Sequence, residues 1–189
     1  MIRRAPVILC VLSSLLACSA APAAELLVAA ATADITPAEP VAVAGQFHLR
    51  IARKVETPVT ANVVALESRR NGRSLDAAVM VSCDLVFITD DVLRLVRQAV
   101  RKHLPELDTK KVFLAATHTH TGPVTLPGKY AIPAEGVMQV EQYRAFLVER
   151  VAEAVVRAWR SRAPGSVSWG LSHAVVAYNR RAVDADGSA

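Results

Sequence analysis

Val112-Phe113-Leu114-Ala115-Ala116-Thr117-His118-Thr119-His120-Thr121-Gly122-Pro123 decides how the rest of the chain is read. An apolar run gives out into small polar residues, Gly and Pro, which is how a buried strand ends in a loop. An extended backbone alternates its side chains, so this stretch places His118 and His120 on one side, roughly 6–7 Å apart along the strand. Two imidazoles on one face at a strand's mouth can bind a metal, or bind a metal and handle a proton.

Upstream of this run, Val92, Val96, Ala99, Val100 and Leu104 keep helical spacing, with Arg94, Arg97, Arg101 and Lys102 off the stripe. Thr89, Asp90 and Asp91 supply an N-cap and a favourable charge in the first turn, and Pro105 ends the helix. His103, at the basic C-terminus, is a surface residue helped by the helix dipole. Ahead of the helix, Ala77 to Cys83 is apolar on both faces, which predicts a strand covered on two sides and stopping at Asp84. Val59 to Ser68 is its partner, joined through Arg69-Arg70-Asn71-Gly72-Arg73, where Asn-Gly is a hairpin cue.

Strand, helix, strand is a βαβ unit, whose two strands run parallel with a right-handed crossover. Asp84 and the histidine pair then share the carboxyl ends of parallel strands, the edge at which open α/β sheets place ligands. Asp84 there is a candidate metal ligand, a candidate partner for a ligating imidazole, or a simple helix-entry cap.

Further out, Leu26 to Ala31 reads as a short strand, and Asp34-Ile35-Thr36-Pro37 as a turn formed by the Asp34 side chain. Gly45 to Arg50 reads as a loop, with His48 and Arg50 solvated by default though within reach of a substrate. Pro123 to Gly136, rich in Pro and Gly and without periodicity, is a long loop of the kind that forms lids. Val140, Tyr143, Leu147, Val151, Ala154, Val155 and Ala158 mark a long amphipathic helix ending before Pro164-Gly165, with Tyr143 and Trp159 as core anchors. Val167 to Tyr178 alternates loosely and reads as a strand, with His173 a structural or surface histidine. It ends in Asn179-Arg180-Arg181, and residues 184–189 read as an exposed loop.

The N-terminus stands apart. Arg3 and Arg4 precede an apolar run from Ala5 to Ala17, and Ala20-Ala21-Pro22-Ala23-Ala24 follows. Basic, apolar, then small is the order of a secretory signal, and the run is too short for a membrane span. Residues 1–24 are therefore expected to be a signal peptide cut after Ala23 or Ala24. Leu15-Leu16-Ala17-Cys18 offers the alternative of a lipobox that would leave a lipidated Cys18. Either route takes the protein out of the cytoplasm, secreted or periplasmic.

The chain has 22 basic and 17 acidic residues, a net charge of +5, and loss of Arg3 and Arg4 with the leader lowers it to +3. A modest, scattered positive balance does not indicate nucleic-acid binding. Cys10 and Cys18 fall in the leader, so Cys83 is left alone and the mature chain has no disulfide to lean on. Residues 25–189 suffice for one domain held by its core.

Taken together, Ala33-Asp34-Ile35-Thr36-Pro37, Ala116-Thr117-His118-Thr119-His120-Thr121-Gly122-Pro123 and Asn179-Arg180-Arg181 resemble the neutral/alkaline (non-lysosomal) ceramidase family. Val81-Ser82-Cys83-Asp84 resembles the family's strand ending in Asp. The resemblance runs from about residue 28 to 181 and implies an exported zinc amidohydrolase that cleaves the N-acyl bond of a sphingoid lipid. It implies that His118 ligates Zn2+, that His120 lies beside the metal and helps hold substrate or transition state, and that Arg180 faces the site. Its fold would be α/β: a βαβ-containing mixed sheet with flanking helices, the N-terminal portion of an αββα sandwich-like catalytic domain.

The family draws its remaining zinc ligands, a second His, a Glu and a Tyr, from much further along a longer chain. Residues 25–189 are thus expected to be an incomplete, N-terminal part of that domain. The alternative is a catalytically inactive exported member of the same family. A small-molecule or lipid amide is the expected substrate, with association at a membrane surface and no transmembrane helix once the signal is removed.

Overall fold

A computed structural model describes residues 24–176 and 183–188. Strands β1 (Glu25–Asp34), β2 (Val41–Val43), β3 (Arg50–Ala52), β4 (Thr60–Arg70) and β5 (Arg73–Cys83) lead into helix α1 (Asp90–His103). A short 3-10 turn, strand β6 (Val112–Ala116), helix α2 (Val140–Arg160) and the two-residue β7 (Ala163–Pro164) follow. The main sheet has five strands in the order β6-β5-β4-β1-β7, and β2 and β3 form a separate two-stranded ribbon.

The βαβ unit is present: β5 and β6 pair in parallel, Cys83 opposite Ala116, with α1 between them in sequence. β4 and β5 form the expected hairpin on Asn71-Gly72, and both residues take positive φ, 51° and 75°. That is the conformation a two-residue hairpin turn demands and Asn-Gly tolerates. The two strands run further into their polar ends than the apolar pattern suggested, to Arg70 and from Arg73, because ladder hydrogen bonds continue beyond the core. β1 likewise continues through Thr32, Ala33 and Asp34, paired with β4 throughout.

Both helices pack on one face of the sheet. Val92, Val96 and Val100 of α1 and Tyr143, Leu147, Val151 and Val155 of α2 are fully buried against Ala33, Ala61, Val63, Ala65, Val79, Val81 and Val112. Each such valine is worth about 1.5–3 kcal/mol in apolar surface removed from water. Alanines on β1 and β4 let the helices approach closely. Tyr143 donates its hydroxyl to the carbonyl of Ile35 at 3.0 Å, satisfying the one polar atom this anchor brings inside. The carbonyls of Thr32 and Asp34, beyond the reach of short β7, accept from Arg157 and Arg150 of α2, which covers that open edge.

Four expectations are corrected. β5 is covered on one face only: Val79, Val81 and Cys83 are buried, while Met80 is 47% exposed, with Val64 and Phe113 exposed beside it. Its apolar outward residues reflect an uncovered sheet face among the described residues, since both helices lie on the other side. Thr89 caps α1 by its extended conformation without a side-chain bond to the helix backbone; its hydroxyl goes to Asp91, which itself accepts from the amide of Val92. Gly45 to Arg50 is not all loop, because Arg50 opens β3; strands of three residues are too short to show a period.

The described part of Val167 to Tyr178 forms no strand. Residues 165–176 have no regular structure, and Trp169 and Leu171 are 91% and 86% exposed. β7 is antiparallel to β1, Gly165 donates to the carbonyl of Leu26 near the start of β1, and beyond it no strand among the described residues pairs with this segment. His173 is exposed on this segment. Asn179, Arg180 and Arg181 lie outside the described residues, as do residues 1–23 with the leader and Cys18.

Candidate functional site

Asp84 follows β5 and Thr117 follows β6, so the two stand side by side at the carboxyl edge of the parallel pair. The Asp84 carboxylate accepts from the amide and hydroxyl of Thr60, at 2.8 and 2.9 Å, and from the hydroxyl of Thr117 at 3.3 Å. The Asp84 amide donates to the carbonyl of Thr60, and that of Thr117 to the carbonyl of Cys83. Asp84 is thus a clamp across the ends of β4, β5 and β6, fixing the residue immediately before His118.

The strand then breaks. His118 has φ +63°, a left-handed conformation that a residue other than glycine adopts at a cost. The two histidines therefore do not converge through strand alternation, as the extended reading had it, but through a turn that begins after Ala116. Their ring centroids lie 5.0 Å apart, edge to face, and the two Nε2 atoms 3.4 Å apart.

The tautomer of His118 follows from its surroundings. Its Nδ1 lies 2.7 Å from the carbonyl oxygen of Val86, which can only accept, so Nδ1 carries a proton and, in the neutral ring, Nε2 is the nitrogen with the free lone pair. Two nitrogens each about 2.0–2.1 Å from a tetrahedral zinc stand about 3.3–3.4 Å apart. The observed spacing thus fits two corners of such a site, and neutral imidazole is the right donor. A third corner is not supplied locally: among the described residues, no group of three His, Cys, Asp or Glu is placed to hold a metal ion, so Asp84 does not complete a set with the histidines.

The His120 side is built from β2 and β3. Gly45, at φ +99°, packs so closely on His120 that an ideal β-carbon there would lie 2.4 Å from its Cγ. A β-carbon on Gly122 would meet the carbonyl oxygen of Asp84 at 2.6 Å. Only glycine permits either approach. Ala44 donates its amide to Gly122 and Val124 to Ala42, at 3.0 and 2.9 Å, lacing the segment after the histidines onto β2. Arg50 of β3 donates from Nη2 to the carbonyls of both Ala44 and His120. His48 is exposed two residues before it.

A cleft of about 260 Å3 opens over the imidazoles, walled by Phe47, Phe87, Val124, Leu126 and Tyr130. The long loop from Pro123 contributes three of these, and Tyr130 donates its hydroxyl to the carbonyl of Gln46 across the mouth. Phe47 is wholly exposed at the lip, with Phe87 and Leu126 partly so. A larger cavity of about 500 Å3 along the β2–β3 ribbon includes Arg50 and Pro123 in its wall but no histidine, so volume alone does not mark the chemistry.

Of the residues singled out in the sequence, His118 and His120 come together and Asp84 lies beside them through Thr117, while Val86, Gly45, Gly122 and the contact of Arg50 with the His120 carbonyl carried no such mark. A glycine inside Val41-Ala42-Val43-Ala44-Gly45-Gln46 was the one available signal for a close approach. The carbonyl of Val86 leaves no trace in side-chain identity. Asp34 is the turn-former expected, its Oδ1 accepting from the amide of Thr36 at 2.8 Å. The Thr36 hydrogen bonds hold its carboxyl below the usual range.

Against solved structures, this chain matches neutral ceramidase from Pseudomonas aeruginosa at 25% sequence identity and a TM-score of 0.63, covering 76% of this chain and 23% of that one. It matches a ceramidase complexed with C2 at 26% identity and a TM-score of 0.61, covering 76% and 22%. No family model matches the sequence, and no curated protein does. The fold is ceramidase-like, one mixed sheet with its helix layer, and the chain spans less than a quarter of the length of these ceramidases. No described helix is long and apolar enough to cross a membrane.

Proposed function

We propose that this chain belongs to an exported, zinc-dependent amidohydrolase that cleaves the N-acyl amide of a lipid-like substrate. The observation that carries the reading is the 3.4 Å approach of the two Nε2 atoms, with His118 fixed as a donor of its lone pair by Val86. The ceramidase-like fold supports it.

His118 would hold the zinc through Nε2, with further protein donors coming from outside the described residues. Zinc bound there would polarise the amide carbonyl and lower the pKa of a water toward neutrality. His120 holds the substrate or the oxyanion that develops as the amide is attacked, a contribution of about 2.7–4 kcal/mol per donor. By the family resemblance Arg180, which lies outside the described residues, would contribute to the same site. Asp84 acts through Thr117, shaping the loop rather than touching the reacting atoms. The apolar lip of Phe47, Phe87 and Leu126 suits an acyl or sphingoid chain. Residues 1–24 would serve as the export signal, and the alternative lipidation at Cys18 would hold the site at a membrane surface.

One observation favours a second reading, a catalytically silent exported member of the same fold: two donors converge and, among the described residues, no third joins them. A single experiment separates the two. The full-length gene product that contains this chain is assayed for bound zinc and for hydrolysis of a fluorogenic N-acyl amide, with His118→Ala alongside. Zinc binding that His118→Ala abolishes, with turnover, supports the hydrolase. Zinc binding without turnover leaves the silent member, and failure of the wild type to bind any metal sinks the metal reading altogether.

A further inference from the structure

Two anchors of different kinds hold the histidine pair. His118 is held by its ring, through Nδ1 on the carbonyl of Val86. Among the described residues the His120 ring has no backbone anchor and meets only the His118 Nε2, while its backbone carbonyl is gripped by the guanidinium of Arg50 and its ring leans on Gly45. We infer that Arg50 is a positioning residue that sets where the His120 imidazole stands, and so whether the two Nε2 atoms converge.

The geometry is specific. Arg50 is fixed in register opposite Val43 on the β2–β3 ribbon. Its Nη2 reaches the carbonyl of Ala44, 2.7 Å away, and that of His120, two acceptors on the two segments that meet at the site. Ala44 immediately precedes Gly45, the residue against which the His120 ring packs. One donor group therefore fixes both the backbone of His120 and the surface its ring rests on. The arrangement is costly for a device of stability alone, since the Nε of Arg50 is buried with no hydrogen-bond partner among the described residues. Lysine at this position keeps the charge but presents a single nitrogen without the fork's fixed geometry.

This inference rests on the proposed metal-directed role of the pair, yet its first readout needs no metal. The full chain is labelled with 13C,15N-histidine, and imidazole spectra of the metal-free wild type are compared with those of Arg50→Lys and Arg50→Ala. In the variants His118 keeps its Nδ1–H tautomer and chemical shift, while His120 shifts or broadens and the nuclear Overhauser contact between the two rings is lost. Arg50→Lys recovers part of it. Cobalt(II), titrated as the metal alone, then binds the variants about 10–100-fold more weakly than wild type.

Unchanged ring-to-ring contact in both variants overturns the inference. So does an equal disturbance of His118 and His120, which marks a merely structural arginine. Should Arg50→Ala fail to fold, Arg50→Lys decides. If the wild type binds no cobalt while His120 alone moves in the variants, the metal reading fails and the positioning stands. If the wild type binds cobalt and His120 does not move, the reverse holds.

Discussion

Gly45 is the surface on which His120 rests, close enough that a β-carbon would lie 2.4 Å from the imidazole Cγ. The neighbour that would have to move is the ring itself and its backbone, so relief means displacing the histidine. The backbone of Gly45 also sits at φ +99°, where an L-residue is strained. Gly45→Ala is therefore expected to cost about 1–3 kcal/mol in stability. It should also abolish the ring contact between His118 and His120. Urea melts and imidazole NMR measure the two effects, and a stable variant with the contact intact would contradict the packing.

The two imidazoles should respond unequally to truncation. His118 carries a tautomer fixed by Val86 and is the proposed ligand, so His118→Ala is expected to remove measurable zinc binding. His120→Ala, removing a neighbour, is expected to weaken it about 10–100-fold. Competition against a chromophoric chelator checks this. Equal losses would make both residues ligands.

Asp84 separates a clamp from a ligand. Its carboxylate accepts from the Thr60 amide and hydroxyl and from the Thr117 hydroxyl, and Asp84→Ala strands the Thr60 amide. Hydrogen bonds to a charged group are worth about 1.5–3 kcal/mol. Asp84→Ala is thus expected to destabilise by about 2–4 kcal/mol, while Asp84→Asn, which keeps one acceptor, costs less and retains zinc binding. Loss of metal from a fully folded Asp84→Asn would restore it as a ligand.

What was legible in the sequence was what repeats. The valines of α1, the stripe of α2, the apolar β5 and β6 and the Asn71-Gly72 turn each carry a local signal, and together they set the βαβ unit and the edge where the histidines lie. What failed was what depends on a distant partner. Val167, Trp169 and Leu171 alternate as a strand should, but β1 begins at Glu25 and no strand among the described residues pairs with them. His118 and His120 share a side through a turn and not through strand alternation, since His118 takes φ +63°, a conformation that a histidine's identity does not announce. Glu67 was legible and unread: it shares the inward face of β4 with Ala61, Val63 and Ala65, which is where it is found, 3% exposed.

That buried carboxylate yields a sharper expectation. Arg162 donates to Glu67 from Nη2 and Nε, at 2.8 and 3.2 Å, and Arg69 lies 3.4 Å away. The Arg162 guanidinium also stacks on the Trp159 ring, 3.3 Å from its centroid, and Trp159 donates to Glu106. Removing Arg162 leaves the buried Glu67 with only the longer and more exposed Arg69 contact as compensation. Arg162→Ala is expected to cost about 3–5 kcal/mol, and Glu67→Met with Arg162→Met much less than the single change. Chemical denaturation of the three variants decides it; a small effect of Arg162→Ala would show that water reaches Glu67 readily.

Alkaline pH should unfold this chain through two core groups that keep their protons. Burial, reinforced by the neighbouring Asp84, pushes the Cys83 thiol from an ordinary 9.0 up to about 12. Burial, with Cys83 and Asp34 nearby, pushes the Tyr143 hydroxyl up as well. In the unfolded chain both groups release protons near their ordinary values, whereas the folded chain retains them. The native state then binds more protons than the unfolded one, so stability falls as pH rises. The stability these groups allow is present in full below about pH 9 and is lost progressively toward pH 12, by on the order of 4 kcal/mol from Cys83. Urea midpoints at about pH 8 and about pH 10.5 measure the slope. Cys83→Ala lowers stability at the lower pH by leaving a small cavity, yet it should flatten the decline, because a group that cannot titrate cannot favour the unfolded state. An identical slope in Cys83→Ala would mean that the thiol reaches solvent and titrates as freely in the fold as outside it.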